Sequence, residues 1–137
     1  MAHKNTTFNA GDAASRRAAM LRVIDELAAD GPWEWVTFES GESSRAIEMA
    51  VEEGRFVLNI PHQEREGLVP RLLTLGITIP DCWALKQDKK KGLLSSGFLE
   101  IEADSCEKES LVAFIDRVGL ELLGWRDSQP LSACLQN

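Results

Sequence analysis

The stretch Ser44–Pro61, SRAIEMAVEEGRFVLNIP, constrains the fold more tightly than any other part of the chain. Ile47, Met49 and Val51 alternate with Glu48 and Ala50. After Glu52-Glu53-Gly54-Arg55, Phe56, Leu58 and Ile60 alternate with Val57 and Asn59. Alternation with a period of two places each apolar set on one face of a pleated strand. Gly54 can take the positive φ of a tight hairpin turn. The spacing predicts two antiparallel strands whose shared apolar face needs a cover, and the rest of the chain offers helices to supply it.

Residues 1–11 are polar and read as a flexible N-terminal segment. Asp12 can cap a helix over 13–29, where Met20, Val23, Ile24, Leu27 and Ala28 recur at three- and four-residue spacing. Gly31-Pro32 ends it. Trp33–Phe38 is a strand with aromatic or branched residues on both faces, which predicts a cover on both sides. A second helix fits 68–75, with Pro70 near its start, where the missing N–H is tolerated. Strands at 82–87 and 94–102 flank the polar turn Asp88–Gly92. Asp104 and Glu107 have the spacing of a capping box opening a helix over 106–123, striped by Leu111, Phe114, Ile115, Val118 and Leu122. Residues 127–137 read as an irregular C-terminal tail. The expected fold class is α+β in the order α-β-β-β-α-β-β-α. It has a five-stranded antiparallel sheet and helices packed mainly on one face, in a single domain over 12–126.

That order, in an acidic chain of 137 residues, resembles the type III secretion chaperones and the families that share their fold. Phe56-Val57-Leu58, Leu75-Gly76-Ile77 with Pro80, and the final amphipathic helix are similar to the strand, helix end and last helix of that group. The resemblance implies a homodimer, often formed through the middle helix, that holds a partner polypeptide in extended form. It implies no catalytic residues. Pro70 inside the middle helix departs from the pattern.

The net charge of −7 argues against a nucleic-acid partner, which would call for a basic face. The basic cluster Lys86, Lys89, Lys90 and Lys91 lies in a turn and reads as a solvated hairpin tip, with an anion or nucleic-acid contact as the alternative. No run approaches the ~20 apolar residues a membrane span needs, so no membrane partner is expected. The N-terminus lacks the apolar centre of a signal peptide, and a cytoplasmic location follows. Cys82, Cys106 and Cys134 are odd in number and widely spaced, giving neither a disulfide framework nor a metal pattern.

His62, beside Gln63, Glu64 and Glu66, is the one histidine outside the N-terminal segment. At a strand end it reads as a surface residue before it reads as a general base. His62, Cys82 and Cys106 would need to converge to hold zinc, and no spacing favours it. Glu48, Glu52, Glu53, Glu100 and Glu102 read as the solvated side of strands, where charge also discourages edge aggregation. Four tryptophans without a tyrosine suit core packing, or an apolar groove.

These features predict a non-enzymatic, chaperone-like binding protein with no cofactor and no metal, its partner a protein or peptide. Met20, Ile24 and Leu27 on the first helix, with Trp33 and Trp35 on the first strand, are the candidate contact residues. A small-ligand binder or sensor using a Trp-lined pocket, and an acidic inhibitor or immunity protein, are the alternatives.

Overall fold

The computed structural model describes residues 2–8, 12–40, 45–126 and 129–137. Within them the chain runs through β1 (His3–Phe8), α1 (Ala13–Ala28), β2 (Trp35–Ser40), β3 (Ala46–Glu52), β4 (Arg55–His62), α2 (Leu68–Thr74), β5 (Ala84–Lys89), β6 (Gly97–Asp104), a 3-10 turn (Ser105–Glu107), α3 (Lys108–Leu122) and β7 (Leu131–Gln136). The fold is α+β, with one antiparallel sheet in the order β1-β7-β2-β3-β4-β6-β5.

Seven strands replace the expected five. The two additions are β1, where a flexible segment was expected, and β7, where an irregular tail was expected. In β7, Leu131, Ala133 and Leu135 are buried and alternate with half-buried Ser132, Cys134 and Gln136. This strand slots between β1 and β2, so each terminal strand gains its backbone partners from the opposite end of the chain. Residues 1, 9–11, 41–44 and 127–128 lie outside the described set.

The register lines up rows across the whole sheet, one of them apolar from β7 to β5. Lys4, Leu135, Val36, Met49, Leu58, Ile101 and Leu85 face one another in turn across all seven strands. Facing pairs point to the same side of a sheet. Val36, Met49, Leu58 and Ile101 in this row are buried, and α1 and α3 pack over that side with Met20, Ile24, Leu27, Leu111, Ile115 and Val118. The neighbouring row, from His3 through Gln136, Trp35, Ala50 and Val57 to Glu102, points the other way and is exposed or half-buried. The two-sided cover expected for the Trp33–Phe38 strand is therefore one-sided. Val36 and Phe38 are in the core, while Trp35 sits on the outer face.

Local signals explain most element ends. The Asp12 carboxylate accepts from the Ser15 amide at 2.8 Å and caps α1. Glu53 and Gly54 both have positive φ, the geometry of the tight hairpin turn between β3 and β4. Pro61 lies past the last β3–β4 pair, Glu48 with Asn59, so its missing N–H removes no β3 ladder bond. Asp104 accepts from the Cys106 amide at 3.2 Å and opens a 3-10 turn, which delays α3 to Lys108.

Buried polar contacts fix how the helices lie. Asp116 on α3 is fully buried and takes two N–H groups of Arg16, itself almost buried on α1. One of these, Arg16 Nη2 to Asp116 Oδ2, measures 3.0 Å. Arg17 adds a third donor at 3.0 Å. Such a pair costs much to desolvate, and its multiple hydrogen bonds offset that cost. The Trp125 ring lies against the backbone of Gly119, where any side chain would overlap it.

Candidate functional site

The apolar stripe of α1 is not available for recognition. Met20 and Ile24 are wholly buried and Leu27 nearly so, all three in the core cluster against the sheet. This corrects their assignment as contact residues: a sheet with an apolar face takes up the whole stripe of the helix that covers it. Trp33 is half-buried and packs on the edge of the core. Trp35 lies apart from these residues, on the outer face, in a shallow depression of about 210 Å3 shared with Glu48, Ala50, Val57 and Asn59. The five candidates thus fall on two sides of the sheet and form no common site.

The structure instead opens an apolar groove between α2 and the sheet edge. Val69, Leu73, Ile79, Trp83 and Leu85 line a space of about 420 Å3, with Asp81 also on its wall. Leu73 and Leu85 are 59% and 50% exposed, unusual for leucines facing the same cleft. Trp83 is nearly buried and meets the Phe114 ring edge-to-face, with centroids 5.4 Å apart. Its indole N–H is buried and has no acceptor among the described residues. Beside the groove runs β5, which among the described residues pairs only with β6 and so leaves one row of its backbone groups unpaired by them. Ala84, Leu85, Lys86 and Gln87 are all exposed, and the register shifts between Leu85 and Gln87.

The far end of β5 anchors α2. The two oxygens of Asp88 accept from the Leu68 and Val69 amides at 2.8 and 2.9 Å. With Pro70 next in line and lacking an N–H, this carboxylate satisfies the first turn. His62 is buried rather than on the surface. Its Nδ1 accepts from the Glu64 amide at 3.0 Å, and its Nε2 lies 3.3 Å from Asp88 Oδ1. That second contact is close enough for an ion pair but poorly aligned for a hydrogen bond. Both ring nitrogens face groups of the protein, an arrangement that suits a structural histidine better than a general base.

Among the described residues no three His, Cys, Asp or Glu side chains gather in a way that could hold a metal ion. Cys82 and Cys106 are exposed, unlike His62. Cys82 Sγ points to Glu107 Oε1 at 3.8 Å. The Cys106 thiol is pushed up from its usual range by a hydrogen bond to Asp104 and by that carboxylate's negative charge. Among the described residues no helix is long and apolar enough to cross a membrane.

The α2–β5 groove was missed because its residues are scattered over short elements. Leu73 falls off the buried stripe of α2, and Leu85 is one leucine in a polar strand. The signal in the sequence was an off-stripe leucine in α2 and a lone leucine in a polar strand; their exposure on one groove is set by the tertiary structure. Fold and groove together define an antiparallel α+β protein with an open sheet edge. No protein-family model, curated protein or solved structure matches the chain.

Proposed function

We propose that this is a non-enzymatic, chaperone-like binding protein that holds a partner polypeptide in extended form along β5. The partner would add a strand to the open edge and lay alternate side chains into the α2–β5 groove, a mode in which backbone bonds give affinity and pockets give specificity. The observation that carries the reading is the pairing of that edge with the exposed Leu73 and Leu85. The Trp83 indole N–H adds to it, because a buried donor without an acceptor costs about 1–3 kcal/mol and a partner's carbonyl could relieve that cost. The charge on Lys86, the bulge between Leu85 and Gln87, and the shortness of β5 discourage indiscriminate pairing. A homodimer, a cytoplasmic location and kinship with the secretion chaperones are parts of the same proposal.

A displayed library of short peptides, selected on the wild-type protein, tests this. Selected peptides should lose binding to the Leu73→Asp/Leu85→Asp variant and should slow amide exchange in β5. Peptides that bind the variant equally well, with β5 exchange unchanged, would overturn it.

The sensor alternative rests on the depression at Trp35. At about 210 Å3 and open to solvent, it is smaller than the several hundred Å3 typical of small-molecule sites. The edge and groove support the polypeptide reading more strongly.

A further inference from the structure

The loop joining β5 to β6 carries a surface that polypeptide capture does not use. Leu93 and Leu94 are 97% and 99% exposed, the two most exposed large apolar side chains among the described residues. They follow directly on Lys89, Lys90, Lys91 and Gly92. The loop is held rather than trailing: the Lys91 amide donates to the Glu64 carbonyl at 3.0 Å, and the Gly92 amide donates to the Ser95 carbonyl at 2.9 Å. These bonds close a turn at the base and leave both leucines at its tip.

The local charge is positive in a chain whose net charge is −7. The carboxylates of Asp88 and Glu64 are engaged elsewhere. Asp88 turns inward to α2, and Glu64 lies 3.6 Å from Arg71. Lys89 Nζ stands 5.7 Å over the Phe98 ring, and Lys91 Nζ donates to the Gly92 carbonyl at 3.4 Å. Arg65, Lys91, Gly92 and Leu93 surround a hollow of about 280 Å3, a cationic recess directly beside an apolar tip.

We propose that this loop seats the protein on the surface of an anionic lipid bilayer. Leu93 and Leu94 enter the headgroup–acyl boundary, Lys89–Lys91 lie over lipid phosphates, and the recess between Arg65 and Lys91 takes one headgroup phosphate. Charge complementarity selects the occupant: three lysines beside two bare leucines match a plane of negative charge with hydrocarbon beneath it. A protein partner would need roughly 800 Å2 of matching surface on each side, more than a protruding turn supplies. A bilayer needs no such match. The acidic remainder of the chain is repelled by the same surface, which orients the molecule with only this loop touching. Such contact needs no membrane-spanning segment.

Flotation of the full chain with vesicles tests the proposal. Wild type should float with vesicles of equal parts phosphatidylserine and phosphatidylcholine, stay behind with phosphatidylcholine alone, and be released by high salt. The combined Lys89→Gln, Lys90→Gln and Lys91→Gln variant should lose on the order of a hundredfold in partitioning, since each cation near such a surface contributes about fivefold. Leu93→Ser/Leu94→Ser should lose on the order of tenfold or more. Both variants alter side chains outside the core and should melt with wild type. Failure of wild type to float on the mixed vesicles at low salt would overturn the proposal and leave an acidic protein surface as the occupant. Equal flotation of all three proteins would overturn it too. The vesicles contain no polypeptide, so neither failure bears on the β5 groove.

Discussion

The carboxylate of Asp88 occupies the space beside Gly67 where any other residue would carry a Cβ, which would stand 2.6 Å from Asp88 Oδ2. Gly67 also has φ of 92°, a value L side chains rarely adopt. The two residues form one device: the glycine admits the carboxylate, and the carboxylate caps α2 from a strand on the sheet edge. Asp88→Ala should therefore lower stability by about 1–3 kcal/mol by leaving partly buried amides without an acceptor. Gly67→Ala should act in the same direction through strain and displacement of the cap. Amide exchange of the α2 turn is the decisive readout, and protection unchanged in both variants would refute the coupling.

Phe114 lies in the core under Trp83, the wall of the groove. Phe114→Ala should cost ~3–5 kcal/mol as a large-to-small core change. Lys90→Ala, on an exposed loop, should change stability by less than ~0.5 kcal/mol. Urea midpoints of the two variants give the comparison. An unchanged midpoint for Phe114→Ala would mean that α3 does not cover the sheet.

Asp116 and Arg16 form a buried pair between α3 and α1. Asp116→Ala alone should be strongly destabilising, by about 3–5 kcal/mol, because it strands a buried guanidinium. Replacing both residues with apolar ones, Arg16→Met with Asp116→Leu, should recover most of that loss. A double variant no more stable than Asp116→Ala would show that the pair, and not the stranded charge, carries the effect.

The Asp12 carboxyl is held below its ordinary value, chiefly by the backbone hydrogen bond from Ser15 and then by that residue's hydroxyl. A folded-state value below the unfolded one means the cap stabilises above the unfolded pKa. That contribution is lost as pH falls through the folded one. Asp12→Asn should thus melt earlier than wild type at neutral pH, and the gap should close as the acid range is entered. A gap that stays constant with pH would show that the carboxylate charge plays no part.

Cys106 is exposed, yet its thiolate is disfavoured by Asp104. Asp104→Asn should speed alkylation of Cys106 by iodoacetamide at mildly alkaline pH, because the thiolate is the reacting species. Peptide mapping of the labelled protein separates Cys106 from Cys82 and Cys134. No change in the rate at Cys106 would remove Asp104 as the cause.

Elements with a complete local signature were legible from the residues alone. The β3–β4 hairpin follows from its alternation and Gly54, α1 from its stripe and Asp12, and α3 from its five apolar positions. The strand β7 also carries alternation, in Leu131, Ala133 and Leu135, but a short run after a helix is read as tail unless a free strand edge awaits it. The strand β1, HKNTTF, has almost no apolar pattern, and only the edge offered by β7 makes it a strand.

The sequence by itself determined the α+β class, the order of the central elements and which side of β3 and β4 faces the core. All of these depend on residues within a few positions of one another. The tertiary structure alone decided the rest. It set Arg16 against Asp116 at a separation of 100 residues, brought Asp88 under α2 from 20 positions away, buried His62, and left Leu73 and Leu85 bare on one groove. Periodicity reports which face of an element is apolar. What lies against that face depends on long-range pairing, whose geometry no local spacing encodes.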